Sequence, residues 1–357
     1  MGEKTFDTQK SEAFAERMID VLNAGALALM SSIGHQTGLF DTMKHMPRAS
    51  SGEIAKKAGL NERYVREWLG AMVTSGVVEC DPEGPSYFLP AEHAAWLTRE
   101  ATPDNIAVFA QYIPLLGAVE DRIIQCFKKG GGVPYSAYKR FHQVMAEDSG
   151  QTVVAALIDS ILPLVPNLVD SLTDGIDVLD VGCGVGRALN LMAKTYPKSR
   201  FLGYEFSREA IAVATTEAKG LGLSNVRFEE KDVSSLPDHD LFDLITAFDA
   251  IHDQAKPDKV LEGIAKALKP DGTFLMQDIA GSSLVYNNKD HPVGPLLYTL
   301  SCMHCMSVSL AQNGAGLGAM WGEEKAREML NAAGFARVEV KKLQHDFQNC
   351  YYIVTKN

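Results

Sequence analysis

A glycine-rich turn with a carboxylate on its upstream flank opens the chemistry of this 357-residue chain. Residues 178–186 read Val-Leu-Asp-Val-Gly-Cys-Gly-Val-Gly, an apolar strand running into Gly182, Cys183, Gly184 and Gly186. Glycine is required where a backbone bends sharply and lets a ligand lie against it. In an open parallel sheet that bend falls at the carboxyl ends of the strands, where ligands bind. Two details select the ligand. A dinucleotide fingerprint places a third Gly or Ala where this chain has Arg187. Asp180 beside the turn would repel a pyrophosphate but suits a ligand carrying an ammonium and a sulfonium. Other candidate ligand groups recur downstream. Glu205 ends Leu202-Gly-Tyr-Glu205, placed for ribose hydroxyls, with Phe206 for an adenine face. Asp232 and Val233 follow a third apolar segment and suit the adenine edge, while Phe248 and Asp249 end a fourth.

The elements that must position these groups alternate. Strands are expected at 177–181, 200–205, 226–231, 242–248 and 272–278, with helices at 186–195, 207–221 and 257–268 between them. Such alternation predicts an α/β, Rossmann-like, doubly wound parallel sheet. Strands at 337–343 and 350–355 are joined by a loop short enough to force an antiparallel C-terminal hairpin. The first hundred residues differ. One short helix starts at a Ser51 cap, Gly59-Leu60-Asn61 makes a tight turn, a second helix runs over 62–75, and 77–80 and 87–89 read as strands around a turn at 81–85. That order predicts a mostly helical winged-helix domain, preceded by a helix over 13–29. The expected division is a winged-helix, dimerising domain at 1–100, a helical connector and hinge at 101–134, and a ligand-binding domain at 135–357. Gly130-Gly131-Gly132 is either a plain linker or a hinge over a site.

These motifs together (DVLDVGCGVG, GYEFS, KDVSSLP and FDLITAFDAIHD) resemble those of class I S-adenosylmethionine (SAM) dependent methyltransferases. The winged-helix front end is similar to that of small-molecule O-methyltransferases, and the likeness spans nearly the whole chain. It implies SAM as cofactor, a small-molecule acceptor methylated on oxygen before nitrogen or sulfur, and a homodimer built through the N-terminal domain. It also implies His252 as a catalytic base, in the pair His252-Asp253 after the fourth strand. The chain departs from the plant-type pattern at Gln254, where Trp is usual. His252 could instead cap the following helix or touch the cofactor. Asp278 is the expected carboxylate orienting His252, with Glu323 as the alternative. Met145, Tyr298, His304 and Trp321 are candidate substrate contacts, although residues of these types at helical spacing also build cores. Tyr135, past the glycines, is placed to close over the cofactor.

Bulk properties exclude other classes. A net charge of −11 argues against a nucleic-acid partner, and the winged helix's second helix mixes Glu62, Arg63, Arg66 and Glu67. A SAM-binding regulator that places the winged helix on DNA is therefore the secondary reading. No apolar run reaches membrane-spanning length, and the polar start lacks the apolar core of a secretion signal. Six scattered cysteines suit a reducing cytoplasm. Cys302 and Cys305 have a ligand-like spacing but no second pair, so no metal is expected.

Overall fold

The computed structural model describes residues 6–84, 86–236 and 239–357, so Pro85 of the expected turn and Pro237 of the KDVSSLP motif lie outside it. The chain divides into two compact units, Met1–Leu115 and Leu116–Asn357. The glycine triplet lies inside the second unit.

The first unit begins with a 30-residue helix, Thr8–Thr37, longer than the periodicity marks. Gly38, with φ of +72°, ends it by closing two carbonyls. Its C-terminal part meets the winged-helix core: the Trp68 indole donates to the Met30 carbonyl, and Gly34 leaves room for Phe40 and Trp68. The helix Ser51–Ala58 starts at a full capping box, Ser50 with Glu53. The helix Glu62–Thr74 follows an Asn61 cap and buries Val65, Trp68, Leu69 and Met72. Three short strands complete the wing. These are β1 (Ala49–Ser50), β2 (Glu79–Cys80) and β3 (Ser86–Phe88), in the order β1-β3-β2. β1 is too short to show a period in sequence.

The second unit is a seven-stranded sheet. In chain order its strands are β4 (Asp177–Val181), β5 (Arg200–Glu205), β6 (Val226–Glu230), β7 (Phe242–Phe248), β8 (Leu268–Ile279), β9 (Arg337–Leu343) and β10 (Asp346–Thr355). They lie in the order β6-β5-β4-β7-β8-β10-β9. β4 to β8 are parallel, and β10 enters antiparallel between β8 and β9. The strand order reverses between β5 and β7, with β4 at the switch, so ligand-facing groups gather beyond the carboxyl ends of these strands. Two buried clusters hold the sheet. One includes Leu179, Ile245, Phe274 and Tyr352; the other includes Val178, Leu244, Leu275 and Tyr351. Adjacent residues of each strand thus serve opposite faces, as a sheet covered on both sides requires.

Candidate active site

The glycine turn is shaped by close packing as much as by backbone freedom. Gly182 and Gly186 have φ of +75° and +74°. A Cβ on Gly182 would stand 2.6 Å from Ala250 Cβ, and one on Gly186 would stand 2.6 Å from the Phe228 ring. Gly184 has φ of +53° and open space around its Cα. The first and third glycines therefore seat the turn on the sheet, and the second presents bare backbone. Cys183 faces inward over Gly203, where burial holds its thiol well above the ordinary range. The Gly182 and Cys183 N–H groups both donate to the Tyr204 carbonyl. Glu205 accepts from Gly184 N at 3.2 Å and from Ser207 N at 2.8 Å, so it braces the turn. Its oxygens keep further acceptor capacity.

Asp180 is 3% exposed and accepts 2.7 Å from Thr246 Oγ1. Burial lifts its carboxyl to about 7, against the smaller opposing effect of the threonine hydrogen bond. Asp249 has φ of +50°, and its Oδ2 accepts from Gln277 Nε2 while Oδ1 is buried without a hydrogen-bond partner. Burial, then the neighbouring Asp278, raises its carboxyl well above the ordinary range. The other expected cofactor residues are spread along the rim. Phe206 is exposed, and Asp232 caps its own turn by accepting from Ser234 N. Val233 is buried in core, and Phe248 packs half-buried against the second core cluster.

His252 lies 4% exposed just past β7. Its Nδ1 pairs with Asp278 Oδ1 at 2.8 Å, and its Nε2 stands 3.2 Å from Asp253 Oδ1. Burial opposes a charge on the ring, but Asp278 and Asp253 outweigh it, so the proton is held well above the usual imidazole range. Asp278 is 0% exposed and also accepts from Ile279 N. Glu323, the alternative orienting acid, is paired with Arg327 instead.

The expected substrate contacts separate. Met145 is half-buried on the helix Phe141–Thr152, whose Ala146 carbonyl accepts from Arg187 beside the glycine turn. Tyr298 accepts from Asn288 and packs with Ile279, Leu297 and Cys305. Trp321 lies in the larger sheet core. His304 is fully buried, stacked on Phe141 at 3.6 Å and edge-on to Tyr135 and Tyr138. Neither of its ring nitrogens has a hydrogen-bond partner, and burial drops its pKa to about 4, so it stays neutral. Nδ1 is 3.8 Å from Asp253 Oδ2. Burial also raises the Tyr135 phenol, with Asp253 and Glu205 adding to the effect. Periodicity shows neither the closeness of Cys305 to His252 and Asp253 nor the isolation of His304, because distant segments meet there.

Residues 172–334 match a methyltransferase domain, and residues 25–99 match the Rv2258c-like winged HTH domain. The chain carries a methyltransferase domain behind a winged helix. The chain is similar to the curated uncharacterized methyltransferase YcgJ of Bacillus subtilis, with 35% identity over 102 residues, 28% of this chain and 40% of that protein. The chain thus spans two-fifths of that relative's length. Its fold is similar to that of human N-acetylserotonin methyltransferase solved with SAM, with a TM-score of 0.69 and 16% identity over all of both chains. It is likewise similar to mitomycin 7-O-methyltransferase MmcR, with a TM-score of 0.71 and 16% identity over 98% of this chain and 100% of that one.

Proposed function

We propose that this protein is a SAM-dependent methyltransferase acting on a small molecule, oxygen before nitrogen or sulfur. The observation that carries the proposal is a turn of bare glycine backbone beside the buried carboxyls of Asp180 and Asp249, next to the His252–Asp278 pair. The residues fit the cofactor: Asp180 is buried with only a neutral hydroxyl, and Asp249 Oδ1 and Asp278 Oδ2 have no hydrogen-bond partners. A cationic ligand would relieve that penalty, whereas a pyrophosphate would add to it. Gly184, Glu205, Phe206 and Asp232 would hold the nucleoside, and Asp180 and Asp249 the charged end. The bound cofactor supplies an electrophilic methyl group on sulfur.

The protein's own task is alignment and proton control. Tyr135, Phe141 and Met145 bound the acceptor side and exclude water, which favours an in-line approach. Asp278 fixes the His252 ring, as a carboxylate does for a general base. Resting between two carboxylates, the ring holds its proton more tightly than a free imidazole does. When acceptor binding parts it from Asp253, the ring gives its Nε2 proton to solvent, and the neutral ring then takes the acceptor's proton at Nε2.

The same reading includes a homodimer through the Thr8–Thr37 helix. Phe14, Met18, Ile19, Val21 and Leu22 along it are exposed, a patch that monomeric proteins rarely leave bare. A cytoplasmic setting is consistent with six free thiols. Among the described residues no helix is long and apolar enough to cross a membrane. The DNA-binding alternative is weakened by the second helix of the winged fold, where Glu62 holds Arg66 and Glu67 holds Arg63.

Calorimetry with S-adenosylhomocysteine tests the proposal. One site per chain is expected, with no uptake of NAD or FAD; the reverse pattern overturns it. His252→Ala should then lower turnover while leaving cofactor affinity within about twofold, since the cofactor's charged end is held elsewhere.

A further inference from the structure

We infer a divalent-metal site of the zinc class at His252 Nε2, the Asp253 carboxylate and Cys305 Sγ. The inference rests on the methyltransferase reading only for what the metal would do, not for binding itself. One ligand atom from each residue lies within 4.8 Å of the other two. Nitrogen, oxygen and sulfur together form the donor set zinc accepts. Zinc bonds of about 2.0–2.1 Å at tetrahedral angles put neighbouring N and O ligands roughly 3.3 Å apart. His252 Nε2 and Asp253 Oδ1 are 3.2 Å apart, yet Asp253 Oδ1 is buried without a hydrogen-bond partner. Their separation suits the ion pair they make and also two ligands of one ion.

The surroundings are those of a metal ligand set. Metal-binding histidines give their other nitrogen to a carboxylate. His252 does so with Asp278, which is itself pinned by Ile279 N. Behind Asp253, the fully buried His304 has unpartnered ring nitrogens and faces Oδ2 at 3.8 Å. At that distance it makes no hydrogen bond to the oxygen, but it lines the back of the group with a neutral polar ring. Cys305 closes a π-helical turn, Ser301–Cys305, in an otherwise α-helical run from Gly294 to Ala311. Single π turns of this kind recur at functional sites. The sequence pairs Cys305 with Cys302 by spacing, but Cys302 is outside the group.

The charges balance. Binding displaces the Nε2 proton and the thiol proton to solvent, leaving a neutral imidazole, a carboxylate and a thiolate around a dication. With the ion on Nε2, His252 would be a ligand and no longer the base, and a fourth, open position would take the acceptor's oxygen or sulfur and ease its ionisation instead.

The test is titration of the chelator-stripped, full-length protein with Co²⁺ and with Zn²⁺. One equivalent per chain is expected, with a thiolate-to-cobalt charge-transfer band that Zn²⁺ bleaches. Cys305→Ser should abolish the band, Asp278→Asn should weaken zinc affinity about 10–100-fold, and Cys302→Ser should leave both intact. Thermal unfolding of each metal-free variant checks that the fold persists. A wild-type cobalt spectrum without the sulfur band overturns the inference, as does zinc affinity unchanged by Cys305→Ser or lost in Cys302→Ser. S-adenosylhomocysteine binding in the same stripped protein reports separately: its loss would sink the methyltransferase reading and leave the metal result standing.

Discussion

Asp180 shows how a single buried carboxylate ties stability to pH. Its folded pKa, about 7, lies above the ordinary carboxylate range because the folded site strips its water. The unfolded chain therefore releases this proton at lower pH than the native chain does. The sign follows: Asp180 costs no stability below about pH 4, an increasing amount as pH rises towards 7, and a constant amount above. Asp180→Asn should flatten that slope, raising the melting temperature at pH 7.5 relative to wild type while keeping it equal near pH 4. The same variant should lose at least tenfold in S-adenosylhomocysteine affinity if the carboxylate faces the ligand's ammonium. Calorimetric melts across pH, paired with binding titrations, check both halves. A variant destabilised at pH 7.5 would show that Asp180 serves packing instead.

At the scale of elements, the glycine triplet is resolved into two different jobs. Gly130 and Gly131 adopt φ of +73° and +77° with nothing within reach of an added Cβ. Gly132 is a close approach: a Cβ there would overlap the Ser307 carbonyl oxygen and press on Ala311 N. Val133 N donates to Ser307 Oγ at 2.8 Å, fastening the segment to the helix that carries Cys305. Gly132→Ala should cost about 1–3 kcal/mol through overpacking against backbone that cannot move aside. Gly131→Ala should cost only roughly 1–2 kcal/mol, the penalty of a left-handed residue. Urea denaturation ranks them, and equal losses would mean that the Gly132 contact relaxes freely. The Cα chemistry was written in sequence as three glycines; which of them touches another element was not.

For the whole molecule, the first helix is the part whose apolar stripe the single chain leaves uncovered. Phe14 and Leu22 are 60% and 71% exposed, although their spacing marks them as a buried face. Burial between copies, in the homodimer proposed above, would reconcile the two. Leu22→Glu should shift the protein from dimer to monomer in sedimentation velocity, with the winged-helix core intact by circular dichroism. A wild-type monomer at micromolar concentration would refute the dimer. The fold itself was largely legible. The β4–β8 alternation and the closing hairpin were readable because buried parallel strands demand apolar runs separated by helices. The two-residue β1 was not, because a period cannot be read from two residues.

What the sequence determined by itself was the sheet, the glycine turn and the acids at its rim, since each depends on local pattern: strand period, turn chemistry and the residue that ends a strand. The pairing of His252 with Asp278 was an open choice against Glu323, settled only where β7 and β8 lie side by side. The gathering of Cys305 and His304 around Asp253 belongs wholly to tertiary structure. Helical phase tells which residues share a face, but not which distant strand end that face will meet.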